Sequence, residues 1–147
     1  MSVVKHKIIE EIALIEISNP PVNAISAAVR VGLLETIENL SLNEKIKAIV
    51  ITAPERTFLA GADIKEFGKK VDAPILGKIC DKIESLNKIV VASLHGTPLG
   101  GGLEVAMSAH YRIAAPSTKV GLPEVLLGIL PGAGGTQRLP RLCGVDM

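Results

Sequence analysis

An α/β fold with parallel strands is what this sequence predicts, and three observations predict it. Two short apolar runs, "KAIVITA" (47–53) and "KIVVASL" (88–94), have the length and β-branched content of strands buried on both faces. Segments with helical periodicity alternate with these runs, which is the pattern of parallel strands joined by helical crossovers. The chain has 147 residues, of which 48% are hydrophobic, enough for one domain around a single core and too apolar for a disordered segment.

The elements follow in order. "KIIEEIALIEI" reads as one or two strands interrupted near Glu10 and Glu11, and "SNPPVN" ends them with residues suited to turns. Ser26 is a candidate N-cap for a helix in which Val29, Leu33, Ile37 and Leu40 recur on one face. After "KAIVITA", Pro74 occupies a first-turn position for a second helix, with Ile75, Ile79, Ile83 and Leu86 forming its apolar stripe. "KIVVASL" then leads into "PLGGGLEVAMSAH" (98–110), where a helix begins near Gly101. Leu103, Ala106, Met107 and His110 fall on one face of that helix, and Gly101, Glu104, Val105 and Ser108 on another.

Charge and composition narrow the function. The formal net charge is +1, and the aromatic residues are Phe58, Phe67 and Tyr111 alone, which gives neither the basic footprint nor the stacking surface of a nucleic-acid binder. No apolar run is long enough to span a bilayer, and Lys5, Lys7, Glu10 and Glu11 break up the N-terminus, so the expectation is a soluble protein without a signal peptide. Cys80 and Cys143 lack metal-site spacing and are too few for a disulfide framework, which points to reduced thiols in an intracellular compartment. His6, His95 and His110 share no helical or ligand spacing, so no metal site emerges, and His110 reads as a satisfied helix-end residue.

Two loops carry the chemistry. Ala60 lies 13 residues after Lys47, and Gly100 lies 12 after Lys88, so parallel neighbouring strands would bring "AGAD" and the glycine triplet side by side at the sheet's C-terminal edge. Two tight turns can also look alike without sharing a ligand. Gly100, Gly101 and Gly102 free the backbone N–H groups at a helix start to approach an anion; close helix–sheet packing would require the same glycines. A P-loop is ruled out because the triplet runs on as Gly-Leu-Glu (102–104) where Gly-Lys-Ser/Thr is needed, and "GAGGTQ" (132–137) has Gln137 where a dinucleotide fingerprint needs glycine.

Glu104 is the sharper signal, because both faces of its helix are apolar or small and a buried carboxylate needs a partner or a task. The competing reading places it at a solvated first turn in favourable contact with the helix dipole. Glu124, twenty residues on, sits between Pro123 and Val125, where Pro-Glu is also an ordinary helix opening. Two such carboxylates beside N–H donors would make an acid–base pair next to an oxyanion site, suited to chemistry α to a carbonyl. Asp63 reads as stabilising its own turn.

"NPPVNAIS", "KAIVITA", "FLAGADIKEF", "HGTPLGGGLEVAMSAHYRIA" and "VGLPEVLLGILPGAGGTQRLPRL" together resemble, in order and spacing, the crotonase (enoyl-CoA hydratase/isomerase) superfamily along nearly the whole chain. They look most like the N-terminal hydratase/isomerase part of peroxisomal bifunctional enzymes and bacterial multifunctional β-oxidation enzymes. The resemblance implies an α/β spiral of repeated β-β-α units and a single domain over residues 1–147, truncated before the family's C-terminal helices and exposing apolar surface there.

The same resemblance implies that the N–H groups of Ala62 and Gly101 hold the thioester oxygen of an acyl-CoA, and that Ala60, Gly61, Ala62, Asp63 and Ile64 hold the CoA portions. Glu104 would be the base that activates water and Glu124 the donor of a proton to C2, giving syn hydration of trans-2-enoyl-CoA to 3-hydroxyacyl-CoA in fatty acid β-oxidation. Isomerisation of 3-enoyl-CoA would need Glu124 alone. No cofactor is implied beyond the coenzyme A of the substrate. The protein would be a homo-oligomer or be continued by a dehydrogenase domain, and would be peroxisomal in a eukaryote or cytoplasmic in a bacterium. The alternatives are a non-catalytic acyl-CoA-binding or interaction module, and another reaction of the superfamily such as thioester hydrolysis or dehalogenation.

Overall fold

The computed structural model describes residues 2–145. β1 (Val4–Ile9) and β2 (Ile12–Ile17) form an antiparallel hairpin that turns at Glu10 and Glu11, with Glu10 at φ 56°. β3 (Ala48–Thr52), β4 (Ile89–Leu94) and β5 (Tyr111–Ala114) then add in parallel, so the five strands lie in sequence order. Ala13 registers with Ile49, and Ile49 with Val90. The "KAIVITA" and "KIVVASL" strands are therefore parallel neighbours, and the loops leaving them share one edge of the sheet.

The core lies on one face only. Ala13, Ile15, Ile17, Ile49, Ile51, Val90, Ala92 and Leu94 point to it and are buried, whereas the intervening Leu14, Val50 and Val91 are only half-buried. This corrects the expectation of strands buried on both faces. Continuous apolar runs arise here because the second face is also apolar, not because an element of the described residues covers it.

α1 (Ala27–Leu42) packs Val29, Leu33, Ile37 and Leu40 into the core, as its periodicity predicts, and Ser26 Oγ accepts a hydrogen bond from the Val29 N–H at 3.5 Å. α2 (Leu76–Glu84) starts later than expected. Ile75 is its N-cap and is 75% exposed, Pro74 precedes the cap, and Leu86 lies beyond the helix. The buried residues of α2 are Ile79, Cys80 and Ile83, so Cys80 joins the apolar stripe and Ile75 is absent from it. Pro74 therefore lies outside the helix rather than in its first turn.

α3 (Gly101–Ser108) is buried at every residue, packed against α2 and against α4 (Gly135–Cys143). His110 falls outside α3; its Nδ1 accepts from the Val90 N–H at 3.0 Å and ties the start of β5 to β4. It is not a member of an α3 face.

Between strands and helices the chain makes two isolated parallel bridges, Ile25 with Ala62 and Leu99 with Gly121. They stand where the second strand of each β-β-α unit belongs. Gly61 at φ 109°, just before the first bridge, and Gly100 at φ 49°, just after the second, hold conformations that a side chain disfavours.

Candidate active site

The Ala62 loop is held from beneath by a buried asparagine. Asn23 has no solvent exposure, and its Nδ2 donates to the carbonyls of Ile17, Thr57 and Phe58. Its own carbonyl accepts from the Ala60 N–H at 3.1 Å, and Ile25 N–H donates to Gly61 O at 2.8 Å. Asn tolerates the φ of 56° that this position requires. On the outer side, Glu66 accepts from the Ala27 N–H at 2.7 Å and pairs with Arg30 at 2.9 Å, which fastens the loop to the start of α1. Asp63 Oδ1 accepts from the Lys65 N–H at 3.0 Å, capping the short turn Ile64–Glu66, the local contact that its sequence context suggested.

The glycine triplet brings α3 up to that loop. Gly102 packs so closely that a Cβ there would lie 2.1 Å from the carbonyl oxygen of Leu59, so the residue is required for packing. A Cβ on Gly101 would lie 3.7 Å from the Ala62 nitrogen, so the two loops meet at these residues. Among the described residues, neither the Ala62 N–H nor the Gly101 N–H donates to a protein acceptor. Close packing accounts for Gly102, while the Gly101 N–H is left without a protein acceptor.

These two residues border a cavity of about 140 Å³ with Ala60, Gly61, Ile64 and Glu124. Its remaining wall is largely apolar: Phe67, Leu99, Leu127 and Ile129. Asp63 does not line it, but borders an adjoining groove of about 320 Å³ with Arg30, Glu66 and Lys69 that shares Ala62 and Phe67 with the cavity.

Glu124 is delivered by the Leu99–Gly121 bridge and by the Gly100 N–H bond to Gly121 O at 2.9 Å, and it stands in the short helical turn Pro123–Leu127. Gly100 makes room for its carboxylate, since a Cβ there would be 2.8 Å from Glu124 Oε1. Glu124 is 8% exposed, and its Oε2 is buried without a hydrogen-bond partner among the described residues. Burial pushes its carboxyl above the ordinary glutamate value, a bond from its own backbone N–H opposes this, and the negative charge of Glu104 adds to the rise.

Glu104 lies deeper, 3% exposed and behind the cavity wall rather than in it. Its Oε1 accepts from the N–H groups of Ala133 and Gly135, each at 2.8 Å. No donor among the described residues reaches Oε2. The solvated first-turn reading is thus excluded: this carboxylate is buried and has a partner.

That partner is not announced by residue type in the sequence. Its signal was "GAGG": a Cβ on Gly135 would sit 2.9 Å from Glu104 Oε1, so only glycine lets that amide approach. Nor is Arg138 announced, whose guanidinium donates to Ala133 O at 2.8 Å. No three His, Cys, Asp or Glu side chains among the described residues gather as a metal site, and no helix among them is long and apolar enough to cross a membrane.

Comparison with known proteins gives this geometry its context. Residues 7–147 match the enoyl-CoA hydratase/isomerase family. The chain is 51% identical over 134 residues to a peroxisomal bifunctional enzyme of Danio rerio, covering 91% of this chain and 19% of that protein. It is 44% identical over 140 residues to a probable enoyl-CoA hydratase of Bacillus subtilis, covering 90% and 54%. The crystal structure of an enoyl-CoA hydratase from Bacillus anthracis superposes with a TM-score of 0.90 at 31% identity, covering 98% of this chain and 59% of that one. The chain spans about a fifth of the bifunctional enzyme and rather more than half of the two hydratases. The fold is the α/β spiral that the resemblance implied, and the chain belongs to the enoyl-CoA hydratase/isomerase family.

Proposed function

We propose that this chain adds water to the double bond of a trans-2-enoyl-CoA, giving a 3-hydroxyacyl-CoA in fatty acid β-oxidation. One observation carries the reading: Glu124, a buried glutamate whose Oε2 has no hydrogen-bond partner among the described residues, borders the same apolar cavity as Ala62 and Gly101, whose backbone N–H groups are unengaged.

The thioester oxygen would accept from both amides, which polarises the conjugated double bond. Each such donor, aimed at the enolate oxygen of the transition state, lowers the barrier by about 3 kcal/mol. Glu104, with Oε1 held by two amides and Oε2 free, removes a proton from water while the water oxygen forms its bond to C3. The π electrons move toward the thioester as an enolate, and the Glu124 carboxyl gives its proton to C2. Glu104 finishes protonated and Glu124 ionised, and proton exchange with solvent resets the pair. The rise in the Glu124 carboxyl, caused first by burial and added to by the charge of Glu104, suits a proton donor.

Ala60, Gly61, Ala62 and Ile64 would hold the pantetheine arm where it leaves the cavity. The groove bordered by Asp63 and Lys69 would take the phosphate-bearing end, with the lysine supplying a cation. A second activity, isomerisation of 3-enoyl-CoA, is favoured by the fact that Glu124 borders the cavity and Glu104 does not, because removal and return of a proton need a single carboxylate. No cofactor beyond the substrate's coenzyme A enters this scheme. By the same reading the domain acts on an intracellular acyl-CoA pool, peroxisomal in a eukaryote or cytoplasmic in a bacterium, as a homo-oligomer or joined to a dehydrogenase domain.

The test is to assay 2-enoyl-CoA hydration beside 3-enoyl-CoA isomerisation with Glu104→Gln and Glu124→Gln. Loss of Glu104 is expected to damage hydration more than isomerisation, and loss of Glu124 to damage both, each by about 10²–10⁴-fold as for other acid–base groups. Full activity in both variants would reject the assignment.

A further inference from the structure

We propose that Arg138 is a positioning residue for Glu104, holding the turn whose two amides fix the carboxylate to the face of α2. This inference rests on the hydratase reading of the site for its catalytic consequence, but not for its geometry.

The connection is continuous. Arg138 Nη1 donates to Ala133 O at 2.8 Å, and the Ala133 and Gly135 N–H groups donate to Glu104 Oε1. The carbonyl that Arg138 grips belongs to the peptide unit 133–134. That unit stands between the two peptide units whose N–H groups reach Glu104, so a rotation there would turn both donors away.

The guanidinium is itself anchored. Nη2 donates to Asp81 Oδ1 at 3.0 Å and to Glu84 Oε2 at 2.8 Å, and Nε reaches Glu84 Oε1 at 3.4 Å. Both acids are on α2, and the Glu84 contact has the two-pronged geometry that guanidinium alone supplies. Arg138 is 9% exposed, while Asp81 and Glu84 are exposed. An isolated surface pair would contribute little, whereas here the cation and the carbonyl it serves are buried.

Gly134 completes the device. It has φ 95°, and a Cβ there would be 2.2 Å from Arg138 Nη1, so the absence of a side chain lets the Nη1 end of the guanidinium come up against its backbone. A lysine at 138 would carry the same charge but could not span the carbonyl and both acids at once. Mutation of groups that orient an active residue costs about 10–100-fold in rate when the displacement approaches 1 Å.

The experiment measures hydration kcat and KM together with the backbone amide shifts of residues 133 and 135, in the chain itself, in Arg138→Lys and in Glu84→Gln. Each substitution is made alone and on Glu104→Gln. We expect Arg138→Lys to lower kcat about 10–100-fold with KM within about twofold, and hydration to fall more than isomerisation. Glu84→Gln is expected to show a smaller loss of the same kind. Neither change should lower kcat further once Glu104 is glutamine, because both act through it. The amide protons of Ala133 and Gly135 should move upfield in Arg138→Lys, as weakened donors do.

Losses that multiply with Glu104→Gln, or unmoved amide resonances in a folded Arg138→Lys protein, overturn the proposal. Should Arg138→Lys fail to fold, unchanged kcat and unchanged amide shifts in Glu84→Gln overturn it equally. If the unsubstituted chain hydrates no enoyl-CoA yet the amides respond as expected, the hydratase reading fails and the positioning of Glu104 by Arg138 stands.

Discussion

Replacing Glu104 separates its structural from its chemical part. In Glu104→Ala the buried N–H groups of Ala133 and Gly135 lose their common acceptor. Each unsatisfied buried donor costs about 1–3 kcal/mol, so the substitution should destabilise the fold by about 2–6 kcal/mol, a large fraction of the roughly 5–15 kcal/mol typical of a domain. Glu104→Gln keeps a side-chain oxygen where Oε1 stands, exchanges two charge-assisted bonds for neutral ones and removes a buried charge. These effects oppose each other, and the net change should stay within about 1 kcal/mol. Urea unfolding of both variants gives the stabilities, and loss of the ultraviolet absorbance of the conjugated enoyl thioester gives the rate. The expected pattern is an unstable alanine variant and a stable glutamine variant whose hydration is about 10²–10⁴-fold slower. An alanine variant as stable as the parent would refute the account of Glu104, because it would mean that the two amide bonds contribute nothing.

Three further outcomes follow from other residues. Gly102→Ala places a Cβ 2.1 Å from the Leu59 carbonyl oxygen, a backbone atom that no rotamer change can move, so unfolding experiments should find a loss at or above the upper end of the ~1–3 kcal/mol range for overpacking. Because the Glu124 carboxyl is raised above its unfolded value, the native state binds more protons than the unfolded chain between those values, and stability falls as pH rises through them. Glu124→Gln should therefore gain stability relative to the parent as denaturation is moved from acid to neutral pH; a difference independent of pH would contradict this. The buried Cys80 thiol is pushed up to about 12 by burial, whereas Cys143 is exposed, so a thiol reagent at mildly alkaline pH should label Cys143 fast and Cys80 only on unfolding.

The elements that the sequence revealed are those in which side-chain type reports environment. Val29, Leu33, Ile37 and Leu40 mark the inner face of α1 because aliphatic residues at that spacing have no other use, and Ser26 marks its start. Glu104 was legible as buried because every neighbour on α3 is apolar or small. What escaped was whatever depends on backbone groups and on contacts between distant segments. The amides of Ala133 and Gly135 that receive Glu104 leave only a trace of small residues, which the sequence offered first as a nucleotide motif and failed. Arg138 looks like a surface cation in sequence, since nothing local says that it will face Asp81 and Glu84 on α2. The start of α2 was misplaced because Pro74 and Ile75 fit a first turn by residue type, while the exposed Ile75 side chain serves no core. The half-covered sheet was hidden for a related reason: apolar residues at Leu14, Val50 and Val91 give the pattern of a two-sided strand whatever lies against them.

The central claim is that the N–H groups of Ala62 and Gly101 together grip a thioester oxygen beside Glu124. Isotope-edited infrared spectroscopy of a bound acyl-CoA, labelled with carbon-13 at the thioester carbonyl, reads this directly. The account predicts a carbonyl stretch shifted to lower frequency than in free solution, with the shift reduced by Gly101→Pro, which removes one donor. A bound ligand whose carbonyl keeps its solution frequency would contradict it.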